Sequence, residues 1–131
     1  MIFLDTNILV PILRKKPEGD RYLALIKTKS VAITTINAFE LFFGAQISRE
    51  RSRNLRAVER LVQFFPIYPL SLKATFIASQ IHRELRDIGE PIELNDVYIA
   101  GIVLEHGSEL YTENQDHFKR IHELKLFTPP I

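Results

Sequence analysis

Three short apolar runs, Ile2–Leu4, Val31–Ile33 and Leu110–Tyr111, stand far apart in the chain, and each gives way at once to a turn containing Thr or an acid. None alternates apolar with polar residues, which is the pattern of strands covered on both faces, as in a parallel sheet. Parallel strands need long crossover connections, and the segments between these runs read as helices. Pro17 opens one that ends near Lys29, Thr35 or Asn37 caps the next, Ser48 caps another, and Ser71 caps a long one that Gly89 and Pro91 stop. Asn95 caps a segment reaching Glu105, with Gly107 where a C-terminal glycine belongs. The alternation predicts an α/β fold with a parallel sheet and right-handed crossovers. With 131 residues, 46% of them hydrophobic, the expectation is one domain over 1–131 around a single core.

The chain has no cysteine, which excludes disulfides, thiolate metal sites and a cysteine nucleophile. Its 17 basic and 16 acidic residues balance to a net +1, so any nucleic-acid contact must come from local clustering. The apolar N-terminus IFLDTNILVPIL lacks a basic leader, carries Asp5 and Asn7, and is too short to span a bilayer. A cytoplasmic protein without a membrane partner is expected.

In open parallel sheets ligands lie beyond the carboxyl ends of the strands. Asp5 directly follows the first run and 112-TENQD-116 follows the last, so two polar segments far apart in sequence should meet at one edge. In 36-INAFELFFGA-45, Ile36, Phe39 and Phe43 form a helical stripe and Glu40 reads as lying on it, an acid turned toward the core with no basic residue within four positions. Leu41 and Phe42 fall off that stripe. Asp96 occupies the first turn of its helix and shares a face with Ala100 and Val103, while Ala100 and Gly101 allow close helix packing. Asp5 could simply cap the helix that begins near Thr6, and Asp96 could simply complement a helix dipole. Glu40, in mid-helix, has neither role; its alternative is an exposed acid on a surface helix, set against the nearly all-round apolar 38-AFELFF-43. Three carboxylates brought together repel by roughly 4 kcal/mol per pair at about 4 Å and an effective dielectric near 20. A hard divalent cation, Mg²⁺ or Mn²⁺, compensates this, and such ions serve phosphodiester chemistry.

At these residues the sequence resembles the PIN domain, the ribonuclease fold found in VapC-type toxins of toxin–antitoxin pairs. The matching pieces are 4-LDTN-7, 38-AFELFFG-44, 96-DVYIAG-101 and 110-LYTENQDHF-118. The resemblance implies a five-stranded parallel sheet flanked by helices, a Mg²⁺- or Mn²⁺-dependent endoribonuclease acting on RNA, a homodimer, and a VapB-like antitoxin as partner. It assigns Asp5, Glu40 and Asp96 as catalytic and metal-binding, and Thr6, Asn7 and Thr112 as residues that orient the site. The fourth acidic position falls on an amide, Asn114, with Asp116 two residues later, which implies one tight metal with Asn114 and Asp116 placing water or a second ion. His117 reads as a helix-start residue rather than a general base.

Arg49, Arg53, Arg56 and Arg60 line one face of a segment running from Ser48 to Phe65, with Leu55, Val58, Val62 and Phe65 opposite. The stripe is either a solvated face softened by Glu50 and Glu59 or a contact for RNA phosphates. Arg14, Lys15 and Lys16 form a second basic group. Two other readings stand beside the nuclease: a non-catalytic PIN-like binding module, and a phosphoryl-accepting α/β domain using Asp5. The latter lacks a second Asp two residues on and a Gly-rich phosphate loop.

Overall fold

A computed structural model describes residues 1–130. The chain runs β1 (Ile2–Leu4), α1 (Thr6–Leu13), α2 (Pro17–Ile26), β2 (Val31–Thr34), α3 (Thr35–Gln46), α4 (Arg51–Val62), β3 (Ile67–Tyr68), α5 (Leu72–Asp87), α6 (Leu94–Glu105), β4 (Glu109–Tyr111), α7 (Gln115–Phe118) and β5 (Lys125–Leu126). The five strands form one sheet in the order β3-β2-β1-β4-β5, with every neighbouring pair parallel. No helix among the described residues is long and apolar enough to cross a membrane.

The unalternated strands have a simple cause. Phe3, Ala32 and Leu110 face a layer built mainly from α5 and α6, whereas Ile2, Leu4, Ile33 and Tyr111 face α1 to α4. Successive side chains point to opposite faces, and both faces are dry. The two outer strands, β3 and β5, are only two residues each, and neither is among the strands expected from the sequence.

Helix α6 lies close against α5. A Cβ placed on Gly101 would stand 2.6 Å from the carbonyl oxygen of Ala74. Ser71 caps α5 by accepting from the Ala74 amide, and Pro17 opens α2, as the sequence reading has it. Other boundaries differ. Helix α2 ends at Ile26, three residues short of Lys29. Thr34, not Thr35, caps α3, with Asn37 completing a reciprocal capping box. Ser48 instead donates to the Ala45 carbonyl, and α4 begins at Arg51, so Arg49 lies outside it. Glu93, not Asn95, precedes the first turn of α6.

The largest correction concerns α3. Its buried stripe is Asn37, Leu41 and Ala45, while Phe39 and Phe43 are 58% and 54% exposed and stacked on each other. Glu40 is half-buried and flanks the core instead of facing it. The polar anchor outweighs the phenylalanines. Asn37 is fully buried, its Oδ1 accepting from the amide and hydroxyl of Thr34 and its Nδ2 donating to Asp5 and Thr6. Leaving these groups unpaired would cost about 1–3 kcal/mol each. With Asn37 inward, Leu41 and Ala45 follow at four-residue spacing.

Two glycines separate packing from propensity. Gly101→Val should destabilise the fold by about 1–3 kcal/mol or more, because the added carbons meet backbone that has no room to yield. Gly44→Ala, where a Cβ meets nothing within 4 Å, should stabilise by about 0.5–1 kcal/mol through helix propensity. Urea unfolding of both variants checks the pair.

Candidate active site

Asp5 ends the central strand and caps α1, so it is buried, 5% exposed, at the carboxyl edge of the sheet. Its Oδ1 accepts from the Thr6 amide at 2.8 Å and from Asn37 Nδ2 at 3.3 Å. Its Oδ2 accepts from the Thr112 hydroxyl at 2.7 Å and from Asn7 Nδ2 at 3.5 Å. Capping and site roles therefore coincide in one side chain. Thr112 follows β4, and its hydroxyl also accepts from the Asn114 amide at 2.9 Å and from Asn7 Nδ2 at 3.2 Å. Asn7 Oδ1 in turn accepts from the Glu113 amide at 3.1 Å. Thr6, Asn7 and Thr112 thus tie the β1 and β4 ends together around the carboxylate.

Thr6 donates its hydroxyl to Glu40 Oε1 at 2.6 Å, and Asn95 Nδ2 lies 3.4 Å from Glu40 Oε2. Asp96 projects from the first turn of α6, with its Oδ2 3.5 Å from Nδ1 of His117. Asn114 Nδ2 lies 2.9 Å from the same ring nitrogen. Asp5, Glu40, Glu93 and Asp96 share one open depression with Thr6, Asn7, Asn114 and His117, and no lysine or arginine lines it.

The electrostatics follow from that lining. Burial raises the pKa of Asp5, opposed by the hydrogen bonds from Thr112 and Thr6 and reinforced by the charge of Glu40. Asp96 is pushed up to about 6, first by burial, then by the charge of Asp5, with His117 acting against the shift and Glu40 and Glu93 adding to it. All the direct partners of these acids are hydroxyls, amides or an imidazole. Among the described residues no three His, Asp or Glu side chains stand close enough to clasp an ion together. A donor set of separated carboxylate oxygens still suits Mg²⁺, which keeps several waters and needs only one or two carboxylates.

The structure thus brings together Asp5, Glu40, Asp96, Thr6, Asn7, Thr112 and Asn114. Asp116 is the exception. It is exposed, outside the depression, because the short helix α7 turns Phe118 into the core and His117 toward Asp96. His117 stands beside the acids, beyond the helix-start role expected for it. The sequence reading also missed three residues. Asn37 was visible only as a capping option, although its spacing from Thr34 is that of a capping box. Glu93 ends an unpatterned lead into α6 and Asn95, expected only as a cap, lies in its first turn; only their nearness to Asp96 in sequence could have marked them as part of the site.

The arginine stripe divides. Arg53 and Arg60 border a cleft shared with Arg14, Lys15 and Lys16, while Arg49 and Arg56 border a separate shallow hollow that Arg53 also touches. Val58 is fully buried, and Leu55, Val62 and Phe65 are packed against the core, so the apolar face of α4 is where its spacing puts it.

The PIN domain family model matches residues 2–124. Ribonuclease VapC2 of Rickettsia felis is 32% identical over 125 residues, covering 94% of this chain and 93% of that protein. The tRNA(fMet)-specific endonuclease VapC of Salmonella typhimurium is 31% identical over 123 residues, again covering 94% and 93%. The crystal structure of VapBC2 from Rickettsia felis bound to a DNA fragment from its promoter contains a chain that superposes with a TM-score of 0.86 at 32% identity, covering 97% of this chain and 98% of that one. With the acidic depression at the edge of a matching sheet and the family pattern running through nearly all of the sequence, the chain belongs to the PIN domain family.

Proposed function

We propose that this chain is a Mg²⁺- or Mn²⁺-dependent endoribonuclease, a single cytoplasmic nuclease domain over 1–131 that acts as the toxin of a VapBC-type pair. The observation that carries the reading is a depression lined by Asp5, Glu40, Glu93 and Asp96 with no lysine or arginine. Names of the relatives, a ribonuclease and a tRNA endonuclease, support RNA as the substrate class. Structures solved as VapBC complexes support a VapB-like antitoxin as partner.

Asp5 and Asp96 would hold the ion, with Glu40 joining directly or through water. When bound, the ion polarises the scissile phosphate and lowers the pKa of a water molecule. The chain's own part is orientation and charge. Asp5 is clamped from both oxygens by four donors and has no freedom to rotate away. Thr6 and Asn95 hold Glu40 in the same way from opposite oxygens. Asn114, a neutral amide engaged with His117, brings no charge, which supports one tight metal rather than two.

Phe39 and Phe43 on the exposed side of α3 and Ile47 at its C-cap follow one another at four-residue spacing, the last 70% exposed. Such a stripe suits the interface of a homodimer. A non-catalytic binding module is the second reading, favoured by the amide at position 114, and comparing cleavage in Mn²⁺ with cleavage in EDTA separates the two.

In Mn²⁺, Asp5→Asn or Asp96→Asn should lower RNA cleavage by more than the roughly 10–100-fold expected for losing an orienting partner, the range expected for Thr6→Val. Circular dichroism should remain native, since Asn at position 5 is also a good helix cap and Asp96, inside the first turn of α6, caps nothing. Full activity retained in either carboxylate variant would contradict the assignment.

Proton linkage gives a separate test. Asp96 has a folded pKa of about 6 against an ordinary value of 3.8. A raised carboxylate pKa contributes stability that is complete below the unfolded value and is lost as pH rises through the folded one. Metal-free protein should therefore lose thermal stability between about pH 4 and pH 7, and Asp96→Asn should flatten the decline. Saturating Mg²⁺ or Mn²⁺ should reverse the slope, because the ion then replaces the proton.

A further inference from the structure

A cleft of about 600 Å³ opens beside the acidic depression and shares Val10 and Glu40 with it. Its floor is apolar, with Leu41, Ala45 and Val58, and its walls carry five cations. Arg14, Lys15 and Lys16 come from the turn between α1 and α2, and Arg53 and Arg60 come from α4. All five are exposed. Arg53 pairs with Glu50, and the other four form no ion pair among the described residues. No aromatic side chain lines the cleft, so a ligand there finds cations and not stacking platforms.

The backbone supplies an independent sign that these charges are wanted. Helix α1 ends with the Lys15 amide donating to the Ile12 carbonyl and the Lys16 amide to the Pro11 carbonyl, and Lys15 has φ of 54°. Helices α5 and α6 end on the same pair of bonds. There the left-handed residue is Gly89, at φ 72°, and Gly107, at φ 58°. Glycine adopts this conformation freely, whereas a Cβ is crowded in it. The chain thus uses glycine at two equivalent positions and keeps a strained lysine at the third, where the exposed side chain makes no hydrogen bond that would offset the strain locally.

We propose that this cleft is the track along which an RNA strand reaches the acidic site, its phosphates held between the Arg14–Lys16 turn and the Arg53 and Arg60 side of α4. This rests on the ribonuclease reading and adds the path of the substrate. The cations lie next to the carboxylates that would otherwise repel a polyanion, and the track ends at Glu40. Contacts to phosphate alone position a strand without reading its bases, so cleavage specificity comes from elsewhere in the site. Arg49 and Arg56, which border the other hollow, lie off the track.

The test uses the full chain in the Asp5→Asn background, with a fluorescein-labelled single-stranded RNA oligonucleotide and anisotropy across a salt series. Lys15→Gly should raise Kd several-fold while leaving Tm equal or higher, an outcome that a structural role for Lys15 does not give. Arg14→Gln with Arg60→Gln should raise Kd more than tenfold and reduce the salt slope by about 0.7 for each charge removed. Arg56→Gln should have the smaller effect. Equal losses from Arg56→Gln and Arg60→Gln, unchanged affinity in Lys15→Gly, or a polyglutamate peptide competing as well as RNA would each overturn the track. Cleavage by the unmodified chain in Mn²⁺ is measured separately. Cleavage with binding indifferent to the cleft removes the track alone, whereas cleft-dependent binding without cleavage removes the ribonuclease reading alone.

Discussion

Asp5 is a carboxylate buried at the end of the central strand, and much of the surrounding structure answers its charge. One oxygen is held by the Thr6 amide and Asn37, the other by Thr112 and Asn7. Those partners belong to α1, α3 and the segment after β4, so a single acid joins three elements that the sheet alone would leave to apolar packing. Asn37 extends the effect. By reaching back to Asp5 and Thr6 while bonding Thr34, it fixes the rotation of α3 and with it the position of Glu40.

The same arrangement leaves the site electrostatically unfinished. Neutral donors stabilise each carboxylate locally, yet burial and mutual repulsion still raise the pKa of Asp5 and Asp96. A fold that needed only stability would place an arginine or lysine here. The cations instead stand outside the depression, on the walls of the neighbouring cleft and on α4. Separating negative charge from positive charge in this way suits a site that takes a cation from solution and a polyanion as substrate.

Much of the architecture was legible in the sequence because hydrophobic pattern and capping chemistry act locally. The runs Ile2–Leu4 and Val31–Ile33 read as strands covered on both faces, Ser71 and Pro17 read as helix starts, and Gly101 read as a close helix contact, all as found. What failed required knowing which of two tertiary demands wins. Phe39 and Phe43 looked like core because they are large and apolar, but buried hydrogen bonds at Asn37 outweigh them. Strands β3 and β5 are too short to carry a pattern. The resemblance offered Asp116 as a residue placing water or a second ion, yet one short helical turn decides that His117 faces Asp96 and Asp116 faces solvent.

The central claim is that these raised carboxylates hold a divalent cation in place of protons. Calorimetric titration of Mn²⁺ in buffers of different ionisation enthalpy counts the protons released on binding. Near pH 6, where Asp96 is half-protonated at its pKa of about 6, binding should release a measurable fraction of a proton, and at pH 8 it should release almost none. Mn²⁺ binding that releases no proton near pH 6, or no binding at millimolar ion, would contradict the account.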